Sequence, residues 1–95
     1  PAAVSWEEQK KKANRLKLLP VRRDEVVLAL EAAEARKATI QARWCEVGFF
    51  ETTAKDEIAR LEDEEAALGP RIDALLAEWE SLESELAEAI AKATP

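Results

Sequence analysis

From Ile58 onward the apolar positions advance by alternating steps of three and four: Ile58, Leu61, Leu68, Ile72, Leu75, Trp79, Leu82, Leu86 and Ala89, with Glu65 as one acidic interruption. This is an a/d heptad seam, the pattern of a helix that lays one stripe along a partner helix. Upstream, Arg23, Val26, Leu30, Ala33, Lys37, Ile40, Trp44 and Val47 repeat the alternation, so a second helix carries a matching stripe. Between the stripes stands "GFFETT", residues 48–53. Gly48 suits the left-handed conformation that closes a helix, and Thr53 with Asp56 has the spacing of a capping box for the next one. A connection this short makes the helices antiparallel neighbours.

Element bounds follow from these signals. The first hairpin helix is expected over residues 21–47, the tip loop over 48–53 and the second helix over 54–92. Gly69-Pro70 falls inside the second stripe, but the heptad phase runs through it from Leu68 to Ile72, which predicts one continuous helix kinked near 69–70. The second helix is then the longer of the two, and its overhang needs cover. Residues 5–19 can supply it as a short additional helix, with Ser5 as N-cap and Trp6, Ala13 and Leu16 on its inner face. Leu19-Pro20 would be the joint, because proline restricts the residue before it and is tolerated in a first helical turn. The two polar seam positions, Lys37 and Glu65, lie at nearly equal distances from the tip, so an ion pair between them would fix the register. The expected fold is therefore an all-α antiparallel two-helix coiled-coil hairpin with a short additional N-terminal helix, a single domain spanning 1–95.

Composition narrows the function. The chain has 95 residues, 36% of them charged, and only two glycines, which suits long helices and not a turn-rich sheet protein. Its longest apolar run, Val26–Leu30, is far short of the roughly 20 residues of a membrane span. A lone Cys45 excludes an internal disulfide and suits a reducing cytoplasm. The opening Pro-Ala-Ala-Val reads as the boundary of a domain belonging to a larger protein.

The chain has no histidine and no tyrosine, and no glycine-rich loop of the phosphate-binding type, so no catalytic residue, metal site or cofactor is expected within it. The acidic run "EDEE", 62–65, reads as a solvated helix face, and Cys45 as a surface thiol. Trp44 and Trp79 occupy seam positions. Phe49 and Phe50 either cap the seam at the tip or are presented to a partner.

Net charge is −6, yet it is unevenly placed. Residues 1–23 carry Lys10, Lys11, Lys12, Arg15, Lys17, Arg22 and Arg23 against Glu7 and Glu8, a balance of +5. These seven cations could form one surface meeting several phosphates, with affinity that falls as salt rises. The plainer alternative is a solvated helix face, since Glu7 and Glu8 stand four residues before Lys11 and Lys12, the spacing of ordinary helix ion pairs.

The order of "VSWEEQKKK", the Leu19-Pro20 pair, a heptad helix, "GFF" at 48–50, a second heptad helix and "EWESLESEL" at 78–86 resembles the C-terminal domain of ABC-F ATPases of the Uup type. The carrying residues are Val4-Ser5-Trp6, Leu19-Pro20, Phe49-Phe50 and Trp79-Glu80-Ser81-Leu82-Glu83, and the resemblance covers nearly the whole chain. Arg23 and Lys37 stand where such domains commonly carry aliphatic residues. The resemblance implies a non-catalytic accessory domain on a cytoplasmic protein whose ATPase modules, with their ATP and Mg, lie outside these residues. It also implies DNA or ribosomal RNA as partner, touched through backbone phosphates, with the ribosome nearby. A monomer is expected, with no membrane contact. The alternative is a protein-interaction arm that contacts the ribosome or another protein through Phe49 and Phe50 at the hairpin tip.

Overall fold

A computed structural model of the chain describes residues 2–93. Helix α1 (Ala2–Trp44) and helix α3 (Lys55–Ala93) run antiparallel, joined through a one-turn helix α2 (Phe49–Thr52). The molecule is a rod of 71 × 26 × 15 Å, close to the length that about 1.5 Å per residue gives either long helix. It is the all-α antiparallel hairpin that the two stripes predict.

The core is one line wide on each helix. Leu19, Val26, Ala33 and Ile40 of α1 are buried, as are Leu61, Leu68, Leu75 and Leu82 of α3, with seven-residue spacing throughout. The alternate seam residues, Leu30, Trp44, Ile58, Ile72, Trp79 and Leu86, pack against that line but stay partly exposed. The cause is geometric. With a single neighbour, each helix has only one line of contact that solvent cannot reach from either side. Phe49, also buried, closes the line at the tip.

Three details depart from the expected elements. Residues 5–19 are helical, but no joint separates them from 21–44: α1 continues through Pro20 and Ser5 lies inside it instead of capping it. An interior proline costs about 3 kcal/mol. Here Leu19 and Val26 are buried on the two sides of Pro20, and Arg15 and Arg22 each hold a glutamate of α3, so both halves are fastened to the same partner. At the other end α1 stops at Trp44, which leaves Val47 wholly exposed instead of in the seam. The turn is made at Gly48, whose φ of 75° is the left-handed conformation expected of it. Thr53 is extended and its side chain does not cap; α3 begins with the amides of Glu57 and Ile58 both bonding to the Ala54 carbonyl. Helix α3 itself runs unbroken through Pro70.

The seam ion pair is also different. The Trp44 indole N–H donates to Glu65 at 3.2 Å, and Lys37, half-buried, has no carboxylate partner among the described residues. A lysine stem can lie along the seam with its ammonium in water, so Lys37 needs no partner there. An indole N–H at a half-buried position has more to gain from the carboxylate.

Candidate nucleic-acid interface

Helix α1 carries arginines at 15, 22, 36 and 43, and α3 carries glutamates at 57, 64, 78 and 85, both in seven-residue steps with one step missing. The structure pairs them as Arg15–Glu85, Arg22–Glu78, Arg36–Glu64 and Arg43–Glu57. The residue numbers of every pair sum to 100, so a single register runs the length of the hairpin. Three pairs are two-pronged: Arg15 donates to Glu85 at 2.9 and 3.2 Å, Arg22 to Glu78 at 2.8 and 3.0 Å, and Arg36 to both carboxylate oxygens of Glu64. Arg43 sits 3.6 Å from Glu57. Hydrogen bonds from Arg36 and Arg15 lower the pKa of Glu64 and Glu85 below the ordinary 4.5, and the same bonds raise that of the arginines.

In this register the missing step places Ala29 at the level of Arg71, the one rung where α3 offers a base instead of an acid. A groove of about 450 Å³ opens there, lined by Val26, Ala29, Arg71, Leu75 and the neighbouring rung Arg22–Glu78.

The ladder divides the seven expected phosphate-binding cations into two groups. Arg15 and Arg22 hold glutamates of α3, and Arg23 lies 3.4 Å from Asp24 and 3.6 Å from Glu83. Lys10, Lys11, Lys12 and Lys17 have no carboxylate partner among the described residues, Glu7 and Glu8 included. The Lys10 ammonium instead stands 5.3 Å from the centre of the Trp6 ring.

Orientation differs from expectation too. Trp6 and Leu16 do not dock: they are 62% and 47% exposed, and from Ser5 onward the first buried residue of α1 is Leu19. Because the seam runs through Pro20 without changing phase, its seven-residue line continues upstream from Leu19 to Lys12 and Ser5 and misses Trp6. Apolar contact therefore runs out at the open end, leaving a groove of about 460 Å³ floored by Leu16, Leu19 and Ala89 and rimmed by Lys12, Arg15, Glu85 and Glu88. Residues 6, 10, 13 and 17 follow one another on one side of the helix, so Trp6, Lys10 and Lys17 form a stripe beside the seam line and not on it.

The open end as a whole is nearly balanced in charge. Lys10, Lys11, Lys12, Arg15, Lys17 and Lys92 stand against Glu7, Glu8, Glu83, Glu85 and Glu88, a surplus of one positive charge.

At the tip the two phenylalanines part company. Phe49 is buried against Trp44, edge to face at 5.5 Å, with the Arg43 guanidinium 5.0 Å from its ring. Phe50 is 55% exposed and stacks on the outer face of Trp44 at 5.7 Å. Phe50 and Val47 are therefore the apolar groups the tip presents, and Phe49 caps the seam. Cys45 is exposed beside them. The "EDEE" run is divided similarly: Glu62 and Asp63 face solvent, while Glu64 and Glu65 hold Arg36 and Trp44. No described helix is long and apolar enough to cross a membrane. In comparisons with known proteins, no family model, no curated protein and no solved structure matches the chain.

Proposed function

We propose that the chain is a non-catalytic nucleic-acid-binding module that meets the phosphates of DNA or ribosomal RNA with Lys10, Lys11, Lys12 and Lys17. The observation that supports this reading is the division of the cations: Arg15, Arg22 and Arg23 are held by the hairpin's own carboxylates, whereas these four lysines have no carboxylate partner among the described residues. The acidic remainder of the chain does not forbid it. At physiological salt charges are screened over about 8 Å, a small fraction of the 71 Å rod, so a phosphate at the open end is insulated from the far shaft. The sequence resemblance supports the wider setting, a cytoplasmic ABC-F type parent that binds ATP and Mg in other modules and brings this monomeric arm to ribosomal RNA or DNA.

Salt dependence tests the number of contacts. Four phosphates neutralised on duplex DNA give a slope of log affinity on log salt of about −3.6, or roughly a 150-fold loss between 50 and 200 mM; all seven cations would give about −6.3. Titration of a labelled duplex and a ribosomal RNA fragment across that range is expected to give the shallower slope. Reversing Lys10, Lys11 and Lys12 to glutamate should abolish binding; unchanged affinity would refute the proposal.

The exposure of Phe50 and Val47 favours a second reading, a protein-interaction arm whose tip contacts the ribosome or another protein. Phe50→Ala separates the two, since it should weaken a protein contact and leave oligonucleotide binding alone.

A further inference from the structure

Resting on the nucleic-acid reading, we infer that Trp6 is a base-stacking platform, and that the open end therefore takes single-stranded or unpaired nucleotides in preference to continuous duplex. The three tryptophans are treated differently by the fold. Trp44 and Trp79 pack against the core, while Trp6 keeps 62% of its surface in solvent. By the register of the ladder, Ala93, the last described residue of α3, lies level with Glu7, the residue next to Trp6.

Its neighbours specify the chemistry of the occupant. The Lys10 ammonium stands over the ring, 5.3 Å from its centre, and Lys17 follows on the same side about 10 Å further along the helix, both without a carboxylate partner among the described residues. An aromatic ring with one ammonium over it and a second further along the same side of the helix, neither held by a carboxylate, matches a strand that offers alternating base faces and phosphates. It matches duplex poorly, because paired bases are stacked on both faces and present only edges in the grooves. The surplus of a single positive charge points the same way. So small an excess gives weak attachment through phosphates alone, and stacking supplies attraction that charge does not.

The test compares three probes of equal length by fluorescence anisotropy: a labelled oligothymidylate, the corresponding abasic sugar–phosphate strand, and a duplex. The full chain should bind the oligothymidylate about tenfold more tightly than the abasic strand, within the range for one stacked base. Trp6→Ala should erase that ratio while leaving the salt slope unchanged, and Trp6→Phe should keep most of it. Circular dichroism should be the same for all, since Trp6 supports no packing. Equal binding of the two single strands, or a ratio that survives Trp6→Ala, overturns the stacking inference and leaves the phosphate reading standing. If Lys10→Glu with Lys17→Glu leaves every probe's affinity unchanged, or if no probe binds, the phosphate reading fails and the inference falls with it. Tighter binding of duplex than of oligothymidylate overturns the preference for unpaired bases.

Discussion

Replacing Phe49 with alanine would empty the place where the chain turns back. The ring is 4% exposed and is held between the edges of Trp44 and Phe50, at 5.5 and 5.3 Å, with Arg43 over its face. Truncating a buried phenylalanine costs about 3–5 kcal/mol, transfer and cavity together. The tip is the end of the rod, where the surroundings can collapse into the vacancy, so the lower part of that range applies. A chain of 95 residues has a total stability on the order of 5–14 kcal/mol, so about 3 kcal/mol is a large share of it. Phe50→Ala is the matched control. Its ring stacks on the same tryptophan but is already 55% exposed, and its loss should cost about 1 kcal/mol. At about 4–8 °C per kcal/mol for a chain of this size, Phe49→Ala should lower Tm by at least about 12 °C and Phe50→Ala by no more than about 8 °C. Thermal melts followed by circular dichroism at 222 nm read both. A Phe50→Ala variant as unstable as Phe49→Ala, or two variants melting with the wild type, would refute the assignment of Phe49 as the cap.

Further expectations concern the ladder and the prolines. Ala29→Glu should supply the missing rung by giving Arg71 a carboxylate, raising the urea midpoint by the equivalent of up to about 1 kcal/mol; destabilisation would show that the register at that level is different. Pro70→Ala should stabilise α3 by as much as about 3 kcal/mol, since Pro70 is exposed and its replacement restores a helical N–H; no change in urea midpoint would count against a continuous helix there. Glu64 and Glu85 have pKa values depressed by bonds from Arg36 and Arg15, so their contribution is present above the ordinary 4.5 and lost as pH falls through the lower folded values. The double variant Glu64→Gln, Glu85→Gln should accordingly lose less stability than the wild type between pH 6 and pH 3, and equal losses in urea titrations would contradict the pairing.

The heptad spacing made the hairpin legible, because seven-residue recurrence is a local signal and a two-helix fold has few other ways to satisfy it. Gly48 was legible for the same reason, since the turn needs a positive φ that glycine supplies. Pro20 misled because the rule that proline ends helices describes an isolated chain, while here packing on both sides of it keeps α1 continuous. Trp6 misled because an aromatic residue near a seam invites docking, although counting back in sevens from Leu19 already arrives at Lys12. The role of Arg15 and Arg22 depended on glutamates 70 and 56 residues away. Even so, a signal existed: arginines at 15, 22, 36 and 43 and glutamates at 57, 64, 78 and 85 share one seven-residue period with the same gap. Nothing comparable announces the Trp44–Glu65 bond, which depends on how far an indole reaches across a seam already formed.

The register is the claim on which the interface, the cap and the ladder all depend. With Cys45→Ser as background, spin labels at Gln9→Cys and Ala91→Cys, both exposed positions at one level of the ladder, report on it by pulsed dipolar spectroscopy. The sample is diluted in unlabelled chain so that only distances within a molecule are read. The hairpin predicts a separation within about 30 Å, from two helix axes about 10 Å apart and the two label arms. A chain that does not turn back at the tip would hold the labels more than about 100 Å apart, and the loss of the short distance on dilution would contradict the account.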